Sequence, residues 1–193
     1  MQETRPTREA VEALERKLRS KIEDPDYWRS LNPDSTITEN PFSNPASPYP
    51  ISNDEIAACV QHIQEEGYFQ TSPVLPEEDT EKLTRCIRNV VDRGHDAGYA
   101  FVYDEFYQVM ARLTNILSPV LGDGYQLVHD EFGAYYIPTE DSATGTKPHR
   151  DSLRTHTSVR RDRRPTLVNV WIPLTDATTL NSCIYAVPAH RDP

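Results

Sequence analysis

The first half of the chain has the apolar spacing of amphipathic helices. Residues 7–23 carry an apolar side chain at every third or fourth position among charged ones, which predicts a charged helix. A second helix is predicted to begin at Ser52, because "SNDE" matches a capping box, and to end at Gly67. A third is predicted between Pro76, which is followed by acidic residues, and Gly94.

The chain is predicted to divide near residue 50. Residues 31–50, "LNPDSTITENPFSNPASPYP", are rich in Pro, Asn and Ser, which indicates a linker or an extended arm on the surface. We therefore predict a helical arm with a Pro-rich linker over residues 1–50 and one domain over residues 51–193. A further helix is predicted inside that domain at residues 105–117.

Strand signals replace the helical period after Gly124. Three segments are rich in aromatic and β-branched residues: "YQLVHDEFGAYYIP", "TLVNVWIPLTD" and "SCIYAVP". Helices followed by strands predict an α+β fold in which helices flank a sheet, a sandwich or a barrel. In the second segment, alternation places Asn169 and Trp171 on one face and the apolar residues between them on the other.

Composition and charge exclude several classes of function. The net charge of -10 over 193 residues argues against nonspecific nucleic-acid binding and against docking on an anionic membrane. The sequence shows neither a membrane-spanning apolar run nor a signal peptide, and a cytoplasmic location is expected. Three cysteines without a C-x-x-C pair argue against a disulfide framework. Cys59 and Cys86 occupy apolar helical positions, which predicts buried, reduced thiols.

His149 and Asp151 lie two positions apart in the stretch "KPHRD". In a strand, side chains i and i+2 share a face, so both would point together and Arg150 would point away. An imidazole and a carboxylate on one face are two parts of the facial triad of non-haem Fe(II) oxygenases, and the alternative is a His–Asp pair at the surface. A kinase catalytic loop does not fit, because it needs Asn five positions after the Asp, where this chain has His156.

The segment "LVNVWIPLTDATTLNSCIYAVPAHR", residues 167–191, resembles the phytanoyl-CoA dioxygenase family of Fe(II)/2-oxoglutarate-dependent oxygenases. Members read similarly to "W-x-P-L-x-D-A-T-x-x-N-G-x-L-x-x-x-P-G-S-H". The resemblance covers about residues 52–193, since "EEGYF" after one helix and "LPEED" before the next are also typical of the family. The motif residues that this chain keeps are Trp171, Pro173, Leu174, Asp176, Ala177, Thr178, Asn181 and Pro188.

The resemblance implies a fold, a cofactor and a reaction. The family fold is a double-stranded β-helix, a jelly roll, so an at least partial jelly roll flanked by the N-terminal helices is expected. Fe(II) would be held by His149 and Asp151, with 2-oxoglutarate as cosubstrate near Trp171 and Asn169. The expected reaction is hydroxylation of a small organic substrate, because family halogenases lack the carboxylate that Asp151 provides.

The end of the chain departs from the family pattern. It stops at Pro193, before the positions where the family has a second histidine as third metal ligand and an arginine for 2-oxoglutarate. His190, in the altered turn "PAHRDP", is interpreted as a histidine of a surface turn. We therefore expect a truncated chain with little dioxygenase activity alone, and the alternative function is a catalytically inactive fragment or binding module of this fold.

A basic segment follows the His–Asp motif. Residues 147–164 carry seven Lys or Arg against two Asp, a local reversal of sign in an acidic chain. One interpretation is a lip that attracts an anionic cosubstrate or substrate, since a surface of one sign focuses the field on incoming ions of the other. The other interpretation is a solvated loop.

Overall fold

The protein is described by a computed structural model that covers residue 8 and residues 19–43, 46–128, 131–138, 147–149, 159–181 and 183–191. Arg8 and residues 19–22 are helical, at positions where the first helix is predicted. The five longer helices are α1 (Pro25–Leu31), α2 (Asn53–Glu66), α3 (Glu77–Asp92), α4 (Asp104–Arg112) and α5 (Thr114–Leu121). Two 3₁₀ helices span Ala97–Val102 and Ala189–Arg191.

The helix ends follow the capping signals of the sequence. The Ser52 hydroxyl accepts a hydrogen bond from the Glu55 N–H at 3.2 Å, as the capping box predicts. The Glu55 carboxylate accepts from the Ser72 N–H at 2.7 Å, so it ties α2 to the following loop. Gly67 ends α2 with a φ of 80°, a left-handed conformation that glycine adopts without strain. These contacts confirm the predicted start and end of this helix.

The helix predicted over residues 105–117 is two helices in the structure. Leu113 separates α4 from α5, and its N–H donates to the Met110 carbonyl at 3.2 Å, a tight bond of the 3₁₀ type. Both helices are short, yet each buries apolar residues, including Phe106 in α4 and Ile116 in α5. The break lets the two helices pack separately on one core, which a straight helix of the same length would not permit.

The core lies among the helices and takes residues from both sides of position 50. Trp28 of α1, with a side chain only 1% exposed, packs with Val90 of α3 and Tyr103, both fully buried. The Tyr103 hydroxyl donates to the Trp28 carbonyl at 2.7 Å, which satisfies two buried polar groups at once. Tyr49 is also fully buried in this cluster. The division into an arm and a domain at residues 50 and 51 stays a prediction.

Backbone donors of the arm are paired with the acidic start of α4. The Thr36 N–H donates to the Glu105 carboxylate at 3.0 Å, and the Thr38 N–H donates to the buried Asp104 carboxylate at 3.1 Å. Lys82 of α3 reaches Glu105 at 2.9 Å and balances its charge. A carboxylate that accepts backbone N–H groups forms a charge-assisted bond, stronger than a neutral one. Residues 36 and 38 are therefore held at the start of α4.

A second group of contacts holds the end of the arm around Tyr49. Its hydroxyl donates to the Asp79 carboxylate of α3 at 3.0 Å, and the Arg112 guanidinium of α4 donates to the same carboxylate at 2.6 Å. Arg112 also lies over the Tyr49 ring, 3.8 Å from its centroid. Burial, followed by the hydrogen bond to Asp79, raises the pKa of Tyr49. The three side chains form a compact unit, named here the Tyr49 cluster.

The predicted α+β fold with a jelly roll is wrong for the part of the chain that the structure describes. None of those residues belongs to a β-strand, and the pairing found among them is one isolated antiparallel bridge between Val159 and Pro165. In the described residues of the strand-like segments no ladder forms, and Tyr135 and Ile184 are 82% and 61% exposed. An alternation of apolar and polar residues indicates that one face of a segment is buried. Packing on helices can bury such a face just as a sheet does.

Two expectations from composition can be compared with the structure. Cys59 in α2 and Cys86 in α3 are buried free thiols, as predicted. Burial raises the pKa of Cys86 to about 12, so this thiol stays protonated and unreactive at neutral pH. Among the residues described, no helix combines the length and apolar character needed to cross a membrane.

We predict that Asp79→Ala lowers the free energy of unfolding by about 1–3 kcal/mol, because it leaves the buried Tyr49 hydroxyl and the Arg112 guanidinium without their shared acceptor. Urea denaturation measures this loss. Glu78→Ala is the matched control, since Glu78 is an exposed acid of the same first helical turn. Equal losses in the two variants would show that only the charge near the helix start matters.

Candidate functional site

His149 lies in a short described segment, residues 147–149, and its side chain is exposed. Its Nδ1 is 2.7 Å from the carbonyl oxygen of Lys147. A carbonyl can only accept, so Nδ1 carries the proton and donates, and in the neutral ring the lone pair is on Nε2. Histidines that ligate metals usually donate their second ring nitrogen to a carbonyl or carboxylate in this way. The tautomer of His149 therefore fits a metal ligand that coordinates through Nε2.

The rest of the predicted metal site cannot be placed beside His149. Asp151 lies outside the described residues, as do Arg150, His129 and His156. Within the described ranges, three or more His, Cys, Asp or Glu side chains do not come together in a group that could hold a metal ion. One predicted ligand thus has a fitting tautomer, and the His149–Asp151 pair stays a prediction.

The segment around Trp171 packs on the helices with part of its side chains. Ile172 and Leu174 contact the core cluster, and the Thr84 hydroxyl of α3 donates to the Leu174 carbonyl at 3.0 Å. Asn169 and Trp171 have the opposite parity and are exposed, Trp171 by 48%. Ile172 and Leu174 therefore pack on the helical layer, whereas Asn169, Val170 and Trp171 are exposed.

A shallow groove of about 630 Å³ lies between α3 and the end of this segment. Its lining includes Arg85 and Arg88 of α3 together with Leu174 and Asp176, and none of the predicted site residues. Its charged lining consists of two arginines and four acids, so acidic side chains are in excess. The groove is a separate feature on the helical side of the segment.

The motif residues after the tryptophan segment form a turn closed by its own side chains. The Asn181 amide oxygen accepts from the Thr178 N–H at 2.5 Å, and the Asn181 amide nitrogen donates to the Asp176 carbonyl. The Thr178 hydroxyl accepts from the Leu180 N–H at 3.2 Å. Asn and Thr make such local bonds to backbone groups in turns. The pattern "DATTLN" is therefore a signature of turn structure rather than a set of reacting groups. The spacing of its Thr and Asn residues is the sequence feature that could have predicted this turn.

His190 is paired with a carboxylate at the end of α2. Its Nδ1 is 2.8 Å from the Glu66 Oε2, and both residues are at least partly exposed. Ala189 lies beside Gly67, where a β-carbon would be 3.6 Å from the alanine β-carbon. The 3₁₀ helix Ala189–Arg191 thus docks on the C-terminal end of α2. This arrangement agrees with the interpretation of His190 as a residue of a surface turn.

Two further histidines serve the helical part of the structure. His62 Nδ1 is 2.9 Å from the Tyr68 carbonyl, at the loop that follows α2. His95 Nε2 is 2.6 Å from the Tyr27 hydroxyl, and the two rings meet edge to face. Such contacts stabilise a helix end and aromatic packing.

The described part of the basic segment is a tight turn. The Arg160 N–H donates to the Arg164 carbonyl at 2.8 Å, and the Arg163 N–H donates to the Arg160 carbonyl at 3.0 Å. Asp162 has Arg160 Nε at 3.6 Å and Arg164 Nε at 3.9 Å, one on each carboxylate oxygen. The Arg160 guanidinium also donates to the Leu121 carbonyl at the end of α5. The turn is therefore ordered against a helix end and is not a freely solvated loop.

Residues 63–191 match the family model described as Phytanoyl-CoA dioxygenase (PhyH). The matched span is well over half of the 193 residues and includes helices α3 to α5, the His149 segment and the Trp171 segment. Neither the curated proteins nor the solved structures include a match to the chain. The family match confirms the resemblance drawn from the motif at residues 167–191.

Proposed function

Because this chain belongs to the phytanoyl-CoA dioxygenase family, we propose that it is an Fe(II)/2-oxoglutarate-dependent dioxygenase that hydroxylates a small organic substrate. The family is typically one of dioxygenase-type enzymes, which supports oxidoreductase chemistry in general. The observation that carries the proposal is the family match over residues 63–191, a span that contains the His149–Asp151 motif. The substrate class and the individual ligands are the finer parts of the proposal.

His149 and Asp151 are the proposed metal ligands. The Nδ1–H of His149 donates to the Lys147 carbonyl at 2.7 Å, an arrangement that supports coordination through Nε2. Asp151 supplies the anionic oxygen that a facial triad requires. A bound Fe(II) supplies the one-electron and dioxygen chemistry that amino-acid side chains lack. The protein's own contribution is to orient the ligands, and the Lys147 carbonyl accepts the proton that His149 carries on Nδ1.

Trp171 and Asn169 are the proposed neighbours of 2-oxoglutarate. Both are exposed, whereas Ile172 and Leu174 of the same segment pack on the helical layer. The segment is fixed to α3 through Leu174, so the position of the indole depends on packing against the helices. An amide and an aromatic face can contact the polar and apolar parts of a small organic acid, respectively.

A catalytically inactive binding module of the same family is the alternative function. An inactive member would bind metal or 2-oxoglutarate without turning the cosubstrate over. Turnover of 2-oxoglutarate therefore separates the two functions.

We predict that His149→Ala and Asp151→Ala each weaken Fe(II) binding by about tenfold or more, because each removes one of few protein ligands. An anaerobic Fe(II) titration of the full chain measures the effect. His190→Ala is the matched histidine control and should bind as the native protein does, because His190 pairs with Glu66. Loss of binding in His190→Ala together with native binding in Asp151→Ala would contradict this site.

We also predict that 2-oxoglutarate, added with a redox-inert divalent metal, changes the emission of Trp171. The chain has two tryptophans, and Trp28 is 1% exposed in the core, so its emission serves as an internal reference. Trp171→Phe should abolish the ligand-dependent change and keep the Trp28 signal. An unchanged response in Trp171→Phe would place the cosubstrate elsewhere.

A further inference from the structure

We propose that the four arginines of residues 160–164 divide into two pairs with different roles. Arg160 and Arg164 are positioning residues that hold the turn on the C-terminal end of α5, while Arg161 and Arg163 provide the charge that incoming anions meet. The second half of this statement rests on the proposed function, since it concerns an anionic cosubstrate. The first half rests on contacts alone.

The first observation is the convergence of two guanidinium groups at one helix end. The Arg160 guanidinium donates to the Leu121 carbonyl, the last residue of α5. A β-carbon placed on Gly122 would lie 2.7 Å from Arg164 Nη1 and 2.9 Å from Arg160 Nη2. Both groups therefore occupy the space that the missing side chain of Gly122 leaves open. Only a glycine at this position permits that approach.

The second observation is that this helix end attracts positive charge. The last carbonyl groups of a helix lack intrahelical donors, and the helix dipole places partial negative charge there. A guanidinium supplies several N–H donors in a planar fork and is always charged. Asp162 lies between Arg160 and Arg164 and offsets part of their repulsion. The two arginines are thus already engaged with acceptors of the protein itself.

The third observation is the conformation of the turn. The Arg160 N–H to Arg164 carbonyl bond and the bridge between Val159 and Pro165 close a three-residue loop, with Arg163 in the left-handed region at a φ of 66°. Arg161 and Arg163 belong to the loop itself and are exposed. A residue other than glycine is strained in the left-handed region, and the hydrogen-bonded ends of the loop must offset that strain. Arg160 and Arg164 therefore lie at the fixed ends of the loop, and Arg161 and Arg163 lie at its exposed tip.

The division into pairs matters because, along the sequence, the turn lies between the two parts of the candidate site. The His149 segment precedes it, and Trp171 follows Pro165 by a few residues. Contact of Arg160 with α5 fixes where the chain re-enters the Trp171 segment. The charge of Arg161 and Arg163 changes the rate at which anions encounter the protein and the salt dependence of that rate. Loss of the Arg160 and Arg164 contacts changes the position of the Trp171 segment itself.

The experiment compares two double variants with the same change in net charge, Arg160→Gln/Arg164→Gln and Arg161→Gln/Arg163→Gln, in the full chain. Amide hydrogen exchange of Gly122, whose N–H donates to the Ser118 carbonyl at 2.7 Å, reports on the end of α5. The first variant should exchange about three to ten times faster there, and the second should exchange like the native chain. Arg160→Lys/Arg164→Lys, which keeps the charge, should recover part of the protection.

The second readout is 2-oxoglutarate binding at low and high salt. Arg161→Gln/Arg163→Gln should weaken binding more at low salt than at high salt, because exposed charges are screened. Equal exchange at Gly122 in both double variants would overturn the division into pairs. If the native chain binds no 2-oxoglutarate, the proposed function fails, but the exchange experiment still decides the role of Arg160 and Arg164.

Discussion

The shared carboxylate of Asp79 is the contact on which the arrangement of this protein depends. It accepts hydrogen bonds from Tyr49 at the end of the arm and from Arg112 at the end of α4, and it belongs to the first turn of α3. Three segments distant in sequence thus meet at one partly buried charge. Because Arg112 balances that charge and also covers the Tyr49 ring, the cluster combines an ion pair, a hydrogen bond and an aromatic contact.

Helix α3 carries this constraint to the candidate site. Its N-terminal turn holds the Tyr49 cluster, and Thr84 near its middle donates to the carbonyl of Leu174. The segment that contains Trp171 is therefore fixed on the same helix that the arm stabilises. The contact of Arg160 with the Leu121 carbonyl fixes the turn before that segment on α5. The segment that contains Trp171 therefore contacts α3 through Leu174, and the turn before it contacts α5 through Arg160.

Local signals predicted the helices well, because caps and breaks depend on neighbouring residues. Ser52, Gly67 and Pro76 mark helix ends through contacts or conformations within a few positions, and the structure has helix ends there. The jelly roll was wrong in the described residues because a strand needs a ladder partner, and apolar alternation does not reveal whether one is present. Packing of Ile172 and Leu174 on helices produces the same alternation.

For the candidate site, the sequence predicted residue types better than their contacts. His149 donates from Nδ1 to the Lys147 carbonyl, Asp151 lies outside the described residues, and the role of both as metal ligands stays a prediction. The excess of arginine suggested an anion-attracting lip or a solvated loop. Neither interpretation could foresee the contact of Arg160 with α5, because it joins residues 39 positions apart through the space at Gly122.

The most direct test of the proposed function is succinate formation from 2-oxoglutarate with Fe(II), ascorbate and dioxygen. The native chain and Asp151→Ala should be compared at equal protein concentration, so that turnover by unbound iron is the same in both. Because the sequence predicts little activity for these 193 residues alone, the account expects a small yield of succinate above the protein-free level with the native chain and none above it with Asp151→Ala. Succinate at the protein-free level with both proteins, or equally above it with both, would contradict the account.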